Sequence, residues 1–320
     1  MKLEQIRRAR QDLARYIKKT PLQRCRQLEE KLQTKFQVYL KREDQQFTSS
    51  YKVRGAFNVI LNLAAEQKTK GVVTRSSGNF AQAVAYAAKA LGIAAVIVMP
   101  ENAPRVKVEG TASHHPEIIF CGNTHQEGQA KVMELAQERG LAILSPYDNL
   151  NVIAGQGTIA LEVFEELPQL ATFYGPIGGG GIMGGCTAAI KQLNPAITTV
   201  GVEPSNAADY FVSRKLGKRT LLANNNTIAD GLMAPQVGEH NWPLLQQYVD
   251  EVELVTEFEI KSAMLWAKER LQIRLEPSGA AALAALLYHP HRHDGDIACV
   301  LTGANVDPNS YDMWLGEIGH

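Results

Sequence analysis

The feature that most limits how this chain can fold is a regular alternation between residues 71 and 148. Short apolar runs, GVVTRSS, IAAVIVMP, EIIFCG and LAILSPYD, take turns with helical stretches, FAQAVAYAAKALG, APRVKVEGTASHH and HQEGQAKVMELAQERG. A run such as IAAVIVMP, apolar throughout and closed by Pro100, suits a strand buried on both faces. Strands separated by helices pair in parallel through right-handed crossovers. The segment therefore predicts βαβαβαβ and a small parallel sheet. The alternation resumes with IAGQGTIALEVFEELP, ATFYGPI, GIMGGCTAAIKQL and TTVGVEP, and closes on the strand IACVLTGAN after the helices EFEIKSAMLWAKERLQ and SGAAALAALLYH. At the front, Ile6, Leu13 and Ile17 share one face of an amphipathic helix, QVYLKRED is a short strand and YKVRGAFNVILNLA is helical by its apolar spacing. Residues 217–243 are polar and irregular. The expected fold class is α/β, with two parallel-sheet αβα domains. The larger combines residues 1–70 and 149–320, and the smaller, 71–148, is inserted in it.

Composition removes other classes. Of 320 residues, 45% are apolar and only 7% aromatic, which favours α/β layers over a β-sandwich. Lys plus Arg equals Asp plus Glu, 33 each, so no global field points to nucleic acid or an anionic membrane. No apolar run approaches the roughly 18 residues of a membrane span. The opening MKLEQIRRARQDLARYI is charged throughout, unlike a signal peptide. These features lead us to expect a cytoplasmic location. Cys25, Cys121, Cys186 and Cys299 lie far apart, without the spacing of a zinc site or a disulfide framework. His289, His291 and His293 in YHPHRHDGD cluster closely enough to offer a metal site, with a solvated loop the favoured reading, and the pair His114 and His115 reads the same way.

The stretch YGPIGGGGIMGG, residues 174–185, sits between a strand and a helix and holds four consecutive glycines, Gly178 to Gly181. A helix start offers unpaired N–H groups and partial positive charge. Glycine lets the backbone come close to a ligand and take φ > 0, at roughly 0.5–1 kcal/mol each. Together these make an anion cradle suited to phosphate. Two phosphates fit. One belongs to a dinucleotide, because Gly179, Gly181 and Gly184 match GxGxxG and Glu203 lies about 20 residues further on, where a ribose-binding acid stands. The other is a monoester such as that of pyridoxal phosphate. Lys52, in TSSYKVRGA at a helix entry, suits the second: a lysine there forms an imine if its pKa is lowered by burial or by a neighbouring cation such as Arg54.

Eight stretches, TSSYKVRGA, SSGNFAQAVAYAA, IAGQGTIALE, GPIGGGGIMGG, GVEPSNAAD, TIADG, LEPSGAAALAA and LTGAN, follow one another in the order seen in fold-type II (tryptophan synthase β-like) pyridoxal phosphate enzymes. The chain resembles the serine/threonine dehydratase and serine racemase family from about residue 20 to 310. The resemblance implies that Lys52 binds pyridoxal 5′-phosphate covalently and acts as the base at Cα. It implies that Asn79 bonds the cofactor's phenolic oxygen and that Gly178, Gly179, Gly180, Gly181 and Ile182 hold its phosphate. Gly231 and Glu276 line its ring, and Thr302 faces the pyridine nitrogen. Ser76, Ser77, Gly78, Asn79 and Phe80 fall on the substrate stretch, where N–H groups at a helix start take a carboxylate.

Thr302 is neutral and cannot hold a pyridinium proton electrostatically, which suits loss of a β-substituent. The expected reaction is then release of ammonia and a 2-oxo acid from a small β-hydroxy amino acid, L-threonine or L-serine. In similar racemases a serine at position 77 protonates Cα from the other face, so Ser77 is a second candidate catalytic residue; a helix-capping serine is the alternative. Two departures stand out. Phe80 replaces the histidine common in the family, and the arginine that similar serine racemases carry near Gly128, where it helps with the carboxylate, is absent. Glu203, Asp209 and the carbonyl of Ala207 match the Mg²⁺ or Ca²⁺ site of cation-activated members. The chain stops soon after LTGANVD, which favours a catabolic type, and a homodimer is the family's usual assembly. Serine racemase, an NAD-binding oxidoreductase using Gly179, Gly181 and Gly184, and a non-catalytic metabolite sensor are the competing readings.

Overall fold

The computed structural model describes residues 1–222, 225–289 and 294–318; His291 and His293 fall outside them. Ten strands of the described residues form two sheets. In chain order they are β1 (Leu22–Arg24), β2 (Val38–Arg42), β3 (Val72–Arg75), β4 (Ala95–Met99), β5 (Glu117–Phe120), β6 (Ala142–Ile143), β7 (Leu170–Pro176), β8 (Thr198–Pro204), β9 (Glu251–Val255) and β10 (Asp296–Leu301). The first sheet runs β1-β2-β10-β7-β8-β9 and the second β5-β4-β3-β6. Every pairing is parallel except the edge pair β1–β2, which is antiparallel. The α/β class and the parallel sheets agree with expectation; the antiparallel edge and β9 are additions. β9, EVELV, alternates acid and apolar residues at a sheet edge, so it lacks the continuous apolar signature of the inner strands.

Local chemistry accounts for the elements. β4, AVIVM, is buried along its whole length. The Ala-rich helix Asn79–Leu91 ends at Gly92, which adopts φ +66° as a left-handed stop. Thr124 and Glu127 form a reciprocal capping box at the start of helix His125–Arg139. The helix expected over 257–272 is α-helical only to Trp266 and continues as a π turn, Ala267–Leu271.

Helix Leu150–Glu166 crosses helix Gly181–Leu193 so closely that a Cβ on Gly185 would lie 2.2 Å from the Ile153 carbonyl. This contact fixes the helix that starts at the glycine run.

A buried ion network anchors the helix Lys52–Leu61. Arg54, 0% exposed, binds Glu43 through Nε and Nη2 at 2.8 and 2.7 Å, and Glu162 through Nη1 and Nη2 at 2.7 and 2.9 Å. Lys41 donates to Glu162 and to the Thr20 carbonyl, both at 2.6 Å. Two cations thus meet two carboxylates, and the bonds join β2, the turn after it and helix Leu150–Glu166. Removing one partner would strand a buried charge at about 3–5 kcal/mol.

Candidate active site

Strand-to-helix junctions from both sheets, together with the turns near 145–148 and 230–238, enclose a cavity of about 850 Å³. It lies outside the carboxyl ends of β3 and β7, where open α/β sheets bind ligands. Lys52, Ser76–Phe80, Gly178–Ile182, Gly231, Glu276 and Thr302 all line it. The three candidate cation ligands do not.

Lys52 opens helix Lys52–Leu61 and its Nζ donates to the Pro146 carbonyl at 3.1 Å. Burial pulls its pKa down to about 8, against a smaller upward pull from Glu276. Arg54 has no part in this, because its charge is spent on Glu43 and Glu162 in the network below. The sequence offered burial or a cation as the cause, and burial is the one at work.

The glycine run presents backbone alone. Gly178 through Ile182 are buried, and among the described residues their five N–H groups donate to no protein acceptor. Buried N–H groups are rarely left so. The Gly179 carbonyl is held from two sides, by the Gly238 N–H and by Asn241 Nδ2, each at 3.0 Å. Asn241 also donates to the Tyr147 carbonyl at 3.0 Å. Space forbids side chains here too: a Cβ on Gly179 would sit 2.3 Å from the Tyr147 ring, and Gly180 has φ +93°. The run therefore fits an anion with several acceptor oxygens, as a phosphate monoester is.

A hydrogen-bonded chain supports the neighbouring wall. Asn79 Nδ2 donates to Glu276 at 2.6 Å, and Asn305 Nδ2 donates to Asn79 Oδ1 at 2.8 Å and to the Thr48 carbonyl at 2.7 Å. Burial pushes the Glu276 carboxyl up to about 7, opposed by Lys107, Asn79 and Lys52. Ser278 ties two predicted residues together: its Oγ accepts from the Gly231 N–H at 2.9 Å, and its carbonyl accepts from Thr302 Oγ1 at 3.2 Å. Lys107 pairs with Asp230 across the cavity.

At the junction after β3, Ser76 Oγ accepts from the Gly78 N–H at 3.3 Å, while the N–H groups of Ser77, Asn79 and Phe80 have no protein acceptor among the described residues. Phe80 touches the cavity but is 2% exposed and packs into the apolar core with Val84 and Ile97. Asn305, Ser278, Tyr147, Asn241 and Lys107 were not singled out from sequence. Asn305 stands inside the motif LTGAN and Ser278 inside LEPSGAAALAA; the others arrive from distant segments with no local signal.

The pair Glu203 and Asp209 lies elsewhere. Glu203 ends β8 and accepts from the N–H groups of Tyr210 and Phe211 at 2.9 and 2.7 Å. Asp209 starts the next helix, and both of its carboxylate oxygens are buried with no hydrogen bond of ordinary geometry among the described residues. Burial, and for Glu203 its neighbour Asp209 as well, pushes both carboxyls above the usual range. Glu203 turns its oxygens toward the segment after β8 and does not line the cavity, so the dinucleotide reading loses its ribose acid.

Comparisons with known proteins identify the family. The profile of the family described as pyridoxal-phosphate dependent enzyme matches residues 13–303. The chain is 40% identical over 291 residues to the biosynthetic L-threonine dehydratase IlvA of Pasteurella multocida, covering 90% of this chain and 56% of that protein. It is 39% identical over 312 residues to the catabolic L-threonine dehydratase TdcB of Staphylococcus aureus, covering 95% and 89%. The structure of maize serine racemase superposes with a TM-score of 0.93 at 36% identity, covering 100% and 97%. The chain spans little more than half the length of the Pasteurella relative. With a buried run of acceptor-free N–H groups and a lysine of lowered pKa on one cavity, and a family match over residues 13–303, the chain belongs to the family of pyridoxal-phosphate dependent enzymes of fold-type II.

Proposed function

We propose that this protein is an ammonia-lyase that converts a β-hydroxy amino acid, L-threonine or L-serine among them, to a 2-oxo acid and ammonia. The observation that carries the reading is the joint placement of Lys52 and the five acceptor-free N–H groups of Gly178–Ile182 on one cavity. Lys52 would bind the cofactor aldehyde covalently, Gly178–Ile182 its phosphate, and Asn79, Gly231, Glu276 and Thr302 its ring. Bound pyridoxal phosphate supplies an electron sink that acidifies the Cα proton. With a pKa near 8, the Lys52 amine is poised to take that proton close to neutral pH. The free N–H groups of Ser77, Asn79 and Phe80 bind the carboxylate. Thr302 keeps the ring's far end neutral, and its hydroxyl is oriented by the Ser278 carbonyl.

Ser77 lines the same cavity, which supports racemisation as a side activity with Ser77 delivering a proton to Cα. Biosynthetic and catabolic relatives stand at nearly equal identity, so identity does not choose between those roles. We further propose a Mg²⁺ or Ca²⁺ ion on Glu203, Asp209 and the Ala207 carbonyl. The two buried oxygens of Asp209, with no hydrogen bond of ordinary geometry among the described residues, support this, because a hard cation accepts such oxygens. The division into 1–70 with 149–320 and an inserted 71–148, the homodimer and the cytoplasmic location complete the reading; for the last, no helix among the described residues is long and apolar enough to cross a membrane.

A panel of β-hydroxy amino acids, scored for ammonia and 2-oxo acid with and without chelator, tests the proposal. Equal yields of both products from at least one substrate are expected, with a lower melting temperature after chelation. A protein that carries pyridoxal phosphate but releases no ammonia, or one that binds NADH instead, contradicts it.

A further inference from the structure

Arg75, the last residue of β3, lines the cavity beside Ser76 and Ser77. Its side chain crosses to the start of helix His125–Arg139 and lies over Gly128. A Cβ on Gly128 would stand 2.4 Å from Arg75 Nε and 2.7 Å from its Cδ. An interior glycine weakens a helix, so this one trades helix strength for the arginine's position. Where sequence alone showed no arginine near Gly128, the fold brings Arg75 over it from β3.

This guanidinium is half-buried and has no acidic partner among the described residues. Among the described residues its one hydrogen bond is long, from Nη2 to the Thr124 carbonyl at 3.4 Å. Burial holds its pKa below the usual value, with no compensating acid. The three carboxylates on the cavity wall are all engaged elsewhere: Asp148 by the N–H groups of Glu239 and His240, Asp230 by Lys107, and Glu276 by Asn79. A desolvated charge left unpaired is costly, and a guanidinium fork matches a carboxylate in a bidentate pair. The N–H groups of the Ser76–Phe80 turn already provide for one carboxylate. A substrate with a single carboxylate leaves either the turn or Arg75 unused.

We propose that Arg75 selects a second carboxylate on the substrate side chain, so that the preferred substrate is a β-hydroxy dicarboxylic amino acid of the 3-hydroxyaspartate type. Gly128 is the residue that makes room for it. The proposal rests on the ammonia-lyase reading above and names the substrate class within it.

The test compares kcat/KM of the holoenzyme for the 3-hydroxyaspartate stereoisomers with that for L-threonine and L-serine. One hydroxyaspartate isomer should exceed both by about tenfold or more, the worth of one charge-assisted pair. Arg75→Gln should lower that ratio by about 10–100-fold, Arg75→Lys should restore part of it, and Gly128→Ala should lower it by displacing the arginine. A readout free of turnover is the shift in melting temperature with succinate against propionate. Succinate alone should stabilise the wild type, and the difference should vanish in Arg75→Gln. Preference for threonine or serine over every hydroxyaspartate isomer, or an unchanged ratio in Arg75→Gln, overturns the proposal and leaves the ammonia-lyase reading standing. If no β-hydroxy amino acid is turned over, that reading fails, and the succinate titration still decides the role of Arg75: no difference from propionate sinks it.

Discussion

Two strand-to-helix junctions line the cavity, and they are built on opposite principles. The one after β7, Gly178–Ile182, offers backbone only, and its packing tolerates nothing more: a Cβ on Gly179 meets the Tyr147 ring, and one on Gly180 lies 2.9 Å from Asn241. The one after β3, residues 75–80, offers N–H groups together with the side chains of Arg75, Ser76, Ser77 and Asn79. Its glycine is not packed in; a Cβ on Gly78 would have nothing within 4 Å. A rigid, featureless cradle suits a ligand part that never changes. A junction dressed with side chains suits the part that differs between substrates. On the proposed function, the first would retain the cofactor and the second would set substrate choice and stereochemistry.

On the same reading Lys52 serves both junctions, so its loss should have the largest effect. Lys52→Ala is expected to slow ammonia release by about 10⁴-fold or more, since it removes both the covalent link and the base. Near-normal turnover in that variant would remove the point on which both junctions converge.

Glu276 holds Asn79 of the second junction, and its buried carboxyl gives a pH test. In the fold it titrates at about 7, against an ordinary value of 4.5. Between those values the folded chain keeps a proton that the unfolded chain has released. Stability of the cofactor-free protein should therefore fall as pH rises from about 4.5 to 7, by up to about 3 kcal/mol. Glu276→Gln should flatten that slope in urea unfolding; the same slope in the variant would mean that another group titrates.

Gly179→Ala and Gly78→Ala test the contrast directly. The first overpacks against Tyr147 and should cost about 1–3 kcal/mol, a tenfold to hundredfold loss of pyridoxal phosphate affinity in an absorbance titration. The second should shift that affinity by less than about threefold, for it meets no neighbour. Equal losses would erase the difference between the junctions. Smallest in rate is Ser77→Ala, which should spare elimination from L-substrates within about threefold and suppress formation of D-product. Equal D-product from both proteins would return Ser77 to a capping role.

What the sequence disclosed follows from how local each signal is. The inner strands announced themselves because burial on both faces leaves a continuous apolar run, as in AVIVM. The glycine cradle and Lys52 were legible because their neighbours in sequence are also their neighbours in the site. β9 was missed because an edge strand alternates polar and apolar residues. The ion network was invisible because Lys41, Glu43, Arg54 and Glu162 come from four elements, and the same gap made Arg54 look like a partner for Lys52. Arg75 and Gly128, 53 positions apart in the numbering, acquire meaning only when β3 and the helix behind it are packed together.

The claim at the centre is a covalent one, and reduction by borohydride followed by peptide mass mapping tests it most directly. The account predicts a pyridoxyl label on Lys52 in the freshly purified, active protein. A label on another lysine, or none at all, would contradict it.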